Sequence, residues 1–411
     1  MKKRTFSIYT LGCKLNYSES SDIARRLCEA GFIQNENPDI FIVNSCAVTA
    51  VAVKKSRNLV SRIHREHPES QIIVIGCYAA LQPVILQEWP GVNAVFGSED
   101  KANVIPYLSG EPLPEKTGFT SSFSSGERTR SFLKIQDGCD YHCTYCTVAS
   151  ARGKSRSDSA EHVLGQMEKI AQLGIKEIIL TGVNTGDFGR QNGENLFSLL
   201  RSIDRQKAVP RVRISSIEPN LLKDEIIDLA AQSSIIMPHF HIPLQSGSDK
   251  ILSAMKRRYS RDFFREKIEK IKSSIPDAYI AIDIISGFPG ETDEDFEDSL
   301  RFIDSLPVSD LHVFTYSRRD GTPAAEMPQV KESVKKQRTQ HLLRLSEEKR
   351  NAFYKQYIGR KRPVLFESDS SAGMMNGFTD NYIRIRVPFR EENINRIEDI
   401  LLTEDLFAPE K

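Results

Sequence analysis

The sequence predicts an α/β chain: an N-terminal parallel α/β layer, then a partial (β/α)6 barrel, then a small C-terminal β module. Three observations predict it. Apolar strand-like runs alternate with amphipathic helical runs from Thr5 to Gly97. The same rhythm restarts after a stretch rich in Gly, Pro, Ser and Thr and continues from Ser131 to Ser317. From Val364 the texture changes to short alternating runs separated by Gly and Asn turns. Strands apolar on both faces and separated by helices belong to a parallel sheet covered on both sides.

In order, "TFSIYT" (Thr5 to Thr10) reads as the first strand and "SESSDIARRLCEAGF" as an amphipathic helix with Gly31 near its end. "DIFIVNS" (Asp39 to Ser45) and "QIIVIG" (Gln71 to Gly76) are continuous apolar strands, and "AVFG" (Ala94 to Gly97) is a fourth. "VKKSRNLVSRIHREH" is a basic helix closed by Pro68. "GEPLPEKTGFTSSFSSGE" reads as a linker. Beyond it, strands are expected at "SFLKIQ", "EIILTG", "RVRISSI", "HFHIPLQ", "YIAIDIISG" and "DLHVFTYS", with helices such as "SAEHVLGQMEKIAQLG" and "DEDFEDSLRFIDSL" between them. A long basic helical pattern covers 329–357, and "VLFES", "YIRIRVPF" and "RIEDILLTEDLF" form the antiparallel end. The expected boundaries are 1–110, a linker at 111–127, 128–357 and 358–411.

Composition bounds the function. The chain has 411 residues, enough for two or three domains, and no apolar run of about 18 residues that would cross a membrane. The start has no signal-peptide pattern, so the protein is expected to be cytoplasmic with its thiols reduced. Seven cysteines is an odd number, which also argues against a disulfide framework. The net charge is +1, so any nucleic-acid binding must rest on local patches.

The cysteines carry the chemistry. "DGCDYHCTYC" places Cys139, Cys143 and Cys146 in one loop after a strand, at spacing C-x3-C-x2-C. Structural zinc takes four protein ligands, and no fourth Cys or His stands at zinc-finger spacing; His142 is expected to turn outward. Three thiolates with an open fourth position suit a [4Fe–4S] cluster, with zinc as the alternative. Upstream, Cys13, Cys46 and Cys77 each follow a strand, one βα unit apart. The carboxyl ends of parallel strands share one edge, where open α/β folds bind ligands, so these three thiols are expected to converge. The alternative is three unrelated buried cysteines. Cys28, inside the first helix near Leu27 and Phe32, reads as a core residue.

"CDYHCTYC" after a barrel strand resembles the cluster loop of radical S-adenosylmethionine (SAM) enzymes. With "TLGCKLN", "VNSCAVT", "GCYA", "ARGKSRS", "LTGVNTGDFG", "RISSIEP", "HFHIPLQSGSDKILSAMKRRY", "GFPGET" and "HVFTYSRRDGTPA", the chain resembles the radical SAM methylthiotransferases along nearly its whole length. "TLGCKLN", "HFHIPLQSGSDKIL" and "HVFTYSRRDGTPA" most resemble the branch that modifies N6-threonylcarbamoyladenosine beside the tRNA anticodon. Sister branches act on isopentenyladenosine in tRNA or on a ribosomal-protein aspartate. A rival outside this class is a non-catalytic iron–sulfur RNA-binding protein.

The resemblance implies a Rossmann/flavodoxin-like N-terminal domain, a radical SAM partial barrel and a TRAM-like RNA-binding β-barrel at the end. It implies two [4Fe–4S] clusters, one on Cys139, Cys143 and Cys146 that chelates SAM, and an auxiliary one on Cys13, Cys46 and Cys77. All six cysteines are then catalytic, and the two sets face each other across the linker. Carbon 2 of an adenine yields to radical chemistry, which the cofactor supplies. Candidate SAM contacts are Tyr145, Thr181, Asn184, Ser215, Glu218, Gln245, Ser286 and Gly287, most of them at strand ends, where barrel active sites lie. Ser246, Gln136, Asp283 and Tyr316 share that edge, Arg257 and Arg258 are further candidates, and ordinary turn chemistry is the alternative for each. His239 and His241 read as site-lining or core residues, not metal ligands. Candidate RNA contacts are Lys335, Lys336, Arg338, Arg360, Lys361 and Arg362, with Tyr354 and Tyr357 as base-stacking aromatics; a solvated basic face is the alternative. Expected partners are a tRNA anticodon loop, an electron donor of flavodoxin or ferredoxin type and a sulfur donor. The protein is expected to be a monomer.

Overall fold

The computed structural model describes residues 4–47, 49–114, 119, 121–126 and 129–407. The N-terminal unit comprises β1 (Thr5–Thr10), α1 (Lys14–Glu29), β2 (Ile33–Gln34), β3 (Ile40–Ser45), α2 (Ala50–Glu66), β4 (Gln71–Gly76), α3 (Cys77–Leu81), α4 (Pro83–Gln87), β5 (Val92–Phe96) and α5 (Val104–Ser109). Its five strands are all parallel, in the order β2-β1-β3-β4-β5. That is the flavodoxin-like order, whose direction reverses between β1 and β3 and opens a crevice at their carboxyl ends.

Alternation along the strands builds two cores. Ile40, Ile42, Ile73 and Ile75 pack with Ile23 and Leu27 of α1 and with Val104 and Leu108. Their neighbours Phe41, Val43, Ile72 and Val74 face the other way, onto Val60 and Ile63 of α2 and onto Leu86 and Trp89. Side chains of period two divide in this way between the faces of a doubly covered sheet. α1 begins at Lys14, earlier than its amphipathic pattern suggests, because Asn16, Ser18, Glu19 and Ser20 are buried polar residues. Cys28 is a correction: it is exposed, since the buried stripe of α1 runs through Ile23 and Leu27 and turns the next residue outward.

The second unit comprises β6 (Ser122–Phe123), β7 (Arg130–Lys134), β8 (Gln136–Asp137), α6 (Val148–Arg152), β9 (Arg156–Ser157), α7 (Ala160–Gln172), β10 (Glu177–Thr181), α8 (Leu196–Gln206), β11 (Arg211–Ile214), α9 (Asp224–Gln232), β12 (His239–Gln245), α10 (Asp249–Ala254), α11 (Arg261–Ser274), β13 (Tyr279–Ser286), α12 (Asp293–Ser305) and β14 (Asp310–Thr315). Six parallel strands run β7-β10-β11 and β12-β13-β14. A parallel bridge between Val212 and Ile236 and a bond from the Ile217 N–H to the His241 carbonyl (3.1 Å) join the two halves. Among the described residues β14 and β7 are not paired, so the barrel is partial. Leu133, Ile178, Leu180, Val212, Ile214, Phe240, Ile242, Leu244, Ile280, Ile282 and Ile284 belong to the core packed with the helices. The alternate positions, among them Lys134, Thr181, Arg213, His241, Gln245 and Asp283, therefore face the lumen.

The stretch 111–127 is only partly a linker. Residues 115–118, 120 and 127 lie outside the described residues. Ser122 and Phe123 are buried and pair antiparallel with β7, and the Phe123 carbonyl accepts from Arg25 of α1 (2.8 Å). This segment clips the first unit onto the second.

α13 (Glu332–Lys355) packs along β14. The chain ends in β15 (Lys361–Ser371), β16 (Met374–Thr379), β17 (Arg384–Pro388) and β18 (Ile397–Leu401), an antiparallel sheet in the order β17-β16-β15-β18 extended by an Ile385–Phe407 bridge. It caps the amino-terminal end of the barrel through buried arginines. Arg213 forms a bidentate pair with Glu177 (2.9 and 3.0 Å) and donates to the Thr379 and Asp380 carbonyls, and Arg211 donates to those of Pro363 and Phe378.

Candidate functional site

The cysteine loop is held at both ends. β8 and β9 pair antiparallel across its base. The Gln136 amide donates to the Asp137 and Gly138 carbonyls and to Ser155 Oγ, while its oxygen accepts the Asn184 N–H (2.9 Å). Thr144 bonds to Met255, Ala254 and Ala324. Each thiol then meets an N–H. Tyr141 N–H donates to Cys139 Sγ (3.4 Å), Val148 N–H to Cys146 Sγ (3.4 Å) and Arg257 Nη1 to Cys143 Sγ (3.1 Å). As free thiols two of them resist ionisation. Burial, seconded by the neighbouring thiols, pushes Cys139 up to about 12 and raises Cys146. Donors aimed at sulfur are what a metal-bound thiolate accepts.

The upstream thiols stand at one edge of the sheet. β1, β3 and β4 are adjacent and in register, Thr10 against Asn44 and Ser45 against Gly76. Cys13 precedes α1, Cys46 follows β3, and Cys77 opens α3. Gly12 makes the approach possible: at φ +106° it takes a conformation open to glycine, and a Cβ there would lie 2.8 and 2.9 Å from Cys46 Cβ and Sγ. Asn16 Nδ2 ties the edge together through the Leu11 and Ser45 carbonyls (2.7 and 3.2 Å).

The donor set favours a cluster over a single ion at both places. Among the described residues, one group of three or more Cys, His, Asp or Glu has all its ligand atoms within 4.8 Å of one another, and it is His241, Asp283 and His312. Neither cysteine triad is that tight. Zinc–sulfur bonds of about 2.3 Å would require it, whereas a multi-iron cluster spans a wider set of thiols. His142 is exposed.

Both triads meet at one junction. α3, which Cys77 opens, packs against α6, which follows Cys146. Beside them Arg152 of α6 bonds to Asn16 Oδ1 (2.6 Å), Glu19 Oε1 (3.0 Å) and Asp137 Oδ1 (2.9 Å). Lys134 pairs with Glu19 (2.9 Å) and Asp137 (3.4 Å), and Lys101 with Glu19 (2.5 Å). All these side chains are buried. Burial alone would raise Asp137, yet Arg152 and then Lys134 hold it down at about 2.

A cavity of about 290 Å³ opens beside the loop thiols. Cys139, Cys143 and Cys146 line it, with Thr49 of the N-terminal unit and Tyr141, Tyr145, Asn184, Ser216, Glu218, Gln245, Arg257, Asp283, Tyr316 and Arg319 of the barrel. Gln245 stands at φ 70°, unusual for a residue with a side chain, at a register shift that ends β12 toward the cavity. Arg257 bonds to Glu218 and Cys143 and reaches the Tyr145 hydroxyl (3.4 Å). Burial raises the Glu218 carboxyl, with Arg257 opposing.

Of the eight residues read as SAM contacts, Tyr145, Asn184, Glu218 and Gln245 line the cavity, and four do not. The Thr181 hydroxyl bonds back to the Ile179 carbonyl, and Ser215 is buried while its neighbour Ser216 faces the cavity. The Ser286 hydroxyl turns to the Lys335 carbonyl. The Gly287 N–H donates to Glu291 (3.0 Å), and a Cβ on Gly287 would lie 2.5 Å from Lys335 Cγ. "GFPGE" is thus a turn locked against α13. Ser216, Thr49 and Arg319 were not read from sequence, and only position near a strand end or a cysteine pointed to them.

The RNA residues divide. Lys336, Arg360 and Lys361 are exposed. Lys335 and Arg338 are corrections, exposed by only 3% and 5%. Lys335 pairs with Glu332 (2.7 Å), and Arg338 with Glu291 (2.7 Å) and Asp293 (2.6 Å). Arg362 is half-buried and pairs with Asp277 and Asp380. Tyr354 and Tyr357 are buried under the C-terminal sheet and cannot stack on bases.

A family model described as Radical SAM superfamily matches residues 133–303, and one described as Uncharacterized protein family UPF0004 matches residues 5–97. The chain is 36% identical over 416 residues to threonylcarbamoyladenosine tRNA methylthiotransferase MtaB of Bacillus subtilis, covering 96% of this chain and 92% of the relative. It is 37% identical over 398 residues to the protein of the same name from Thermotoga maritima, covering 93% and 91%. The tRNA-2-methylthio-N(6)-dimethylallyladenosine synthase of Pelotomaculum thermopropionicum is 33% identical over 398 residues, covering 91% and 88%. Among solved structures, the radical S-adenosylmethionine methyltransferase TsrM from Kitasatospora setae, with cobalamin and a [4Fe–4S] cluster bound, is similar at TM-score 0.60 and 14% identity, covering 93% of this chain and 82% of that one. That likeness is one of fold.

Proposed function

The chain belongs to the threonylcarbamoyladenosine tRNA methylthiotransferase family, and from that premise we propose that it adds a methylthio group to carbon 2 of N6-threonylcarbamoyladenosine next to the tRNA anticodon. The observation that carries the reading is the meeting of two cysteine triads, from two units of the fold, at one junction beside one cavity. Cys139, Cys143 and Cys146 hold one [4Fe–4S] cluster, and Cys13, Cys46 and Cys77 hold the other. When bound, the clusters and SAM supply the one-electron and methyl-transfer chemistry that an unactivated aromatic carbon requires.

The protein's own groups bind and orient. The three N–H donors on the loop sulfurs fix the thiolates. Arg257, bonded to Glu218, brings positive charge to Cys143 and the cavity wall. In this reading SAM is held by Tyr145, Asn184, Glu218 and Gln245, with Ser216 and Tyr316, all of which line the cavity. The Arg152–Asn16 bond fixes the two triads relative to each other. The adenine must leave its stack to enter, a step that an anticodon loop permits at low cost. Phosphates meet Lys336, Arg360 and Lys361 on the surface. Among the described residues no helix is long and apolar enough to cross a membrane. A cytoplasmic monomer, served by a flavodoxin- or ferredoxin-type electron donor and a sulfur donor, completes the reading.

The test offers the reconstituted protein two tRNAs, one threonylcarbamoylated and one isopentenylated, and analyses their nucleosides by mass. Methylthiolation of the first supports the reading. Conversion of the second alone moves the protein to the sister branch.

A further inference from the structure

Three adjacent lumen-facing strands bring His241 (β12), Asp283 (β13) and His312 (β14) together. Asp283 stands in register with Pro243 on one side and His312 on the other. Its Oδ1 lies 2.6 Å from His241 Nε2 and 3.2 Å from His312 Nδ1, and the two ring nitrogens are 3.2 Å apart. The imidazoles meet edge to face with centroids 4.7 Å apart. Each group spends one atom on this knot. Asp283 Oδ2, His241 Nδ1 and His312 Nε2 have no partner among the described residues.

The place matters as much as the chemistry. Asp283 lines the same cavity as the three loop thiols. The knot is open, with the His312 side chain 44% exposed. Lys14, which follows Cys13, acts electrostatically on both His239 and His312. The cluster thus adjoins the cavity through Asp283.

Resting on the functional reading above, we propose that His241, Asp283 and His312 form the subsite that reads the substituent on the adenine N6. A threonylcarbamoyl group carries a urea, a hydroxyl and a carboxylate. The free Asp283 oxygen accepts from its N–H or O–H groups, and His312 Nε2 donates to its carbonyl or carboxylate oxygens. Burial alone would depress His312, but the Asp283 hydrogen bond and charge outweigh it and raise it, in the direction that favours the form able to pair with a carboxylate. An isopentenyl group has no polar atom. It would strip water from three polar side chains and return no hydrogen bond. Sites built to bond a polar group reject the analogue lacking it far more strongly than apolar pockets sort by size. The knot therefore separates the two tRNA branches by chemistry, with no need for a steric gate.

The test compares binding of anticodon stem-loops that carry threonylcarbamoyladenosine or unmodified adenosine, on wild type, His312→Phe and His312→Gln. The wild type should prefer the modified loop. His312→Phe keeps the bulk and loses the donors, so this preference should fall by about 100-fold, while affinity for the unmodified loop and iron content hold. His312→Gln should recover part of the preference. An unchanged preference in His312→Phe overturns the inference, as does an equal loss on both loops. A stoichiometric divalent metal other than iron that His312→Phe releases also overturns it, by making the knot a metal centre. Turnover assays on the wild type separate the two failures. If it ignores threonylcarbamoylated tRNA, the functional reading falls and this inference with it. If it turns that tRNA over while His312→Phe keeps the preference, only the inference falls.

Discussion

Arg152 Nη2 lies 2.6 Å from Asn16 Oδ1, and both side chains are buried. Arg152 ends the helix that follows the loop triad. Asn16 sits in the first turn after Cys13 and bonds to the carbonyls of Leu11 and Ser45, which flank the upstream triad. One hydrogen bond thus connects the frameworks of both cysteine sites, inside a network with Glu19, Asp137, Lys134 and Lys101.

Breaking that network from one side leaves buried charge uncompensated. Arg152→Met should destabilise the fold by about 3–5 kcal/mol, read as a lowered denaturation midpoint. Loss of activity with unchanged stability would show that Arg152 does not hold the units together.

The same network sets an acid limit. Asp137 is held at about 2, below its ordinary 3.8. A carboxyl depressed in the fold contributes stability that is complete above its unfolded value and is lost as pH falls through the folded one. Wild type should therefore lose stability between about pH 4 and pH 2, and Asp137→Asn should flatten that part of the profile. Unfolding measured across that window checks it; parallel profiles would show that Asp137 does not set the acid limit.

Gly12 offers a selective lesion at the upstream triad. Gly12→Ala places a methyl against Cys46 and strains a positive-φ backbone. Iron in the reconstituted protein should drop from about eight atoms per chain toward four. Full iron retention would mean that the edge yields without loss of its ligands.

For RNA, charge reversal at Lys336, Arg360 and Lys361 should weaken tRNA binding. It should also flatten the salt dependence by roughly 0.7 in log–log slope for each single-strand phosphate that is no longer neutralised. Lys335→Glu should instead lower stability, because that side chain is buried. Equal effects on RNA binding from Lys335 and Lys336 would contradict the division.

Much of this was legible in the sequence where one rule acts alone. β12 matches "HFHIPLQ" to the residue, because Phe240, Ile242 and Leu244 alternate against His239, His241 and Gln245, with Pro243 the one apolar exception. The upstream thiols were legible because each follows an apolar strand, and strand ends of a parallel sheet share an edge. Reading failed where partners are distant in the chain. Nothing near Arg338 announces that Glu291 and Asp293 will neutralise and bury it. The polar start of α1 hides from apolar periodicity because Asn16 and Glu19 are buried to meet Arg152. Strand-end position also did not say that Ser286 would bond to the Lys335 carbonyl and Gly287 to Glu291.

The central claim is that the two triads form one reaction centre with separable roles. The most direct measurement follows 5′-deoxyadenosine release and methylthiolated nucleoside together, in a Cys13→Ala, Cys46→Ala, Cys77→Ala protein given SAM, reductant and threonylcarbamoylated tRNA. The expected result is that 5′-deoxyadenosine is still released and no methylthio product forms. Loss of SAM cleavage while Cys139, Cys143 and Cys146 keep their iron, or continued methylthiolation, would contradict it.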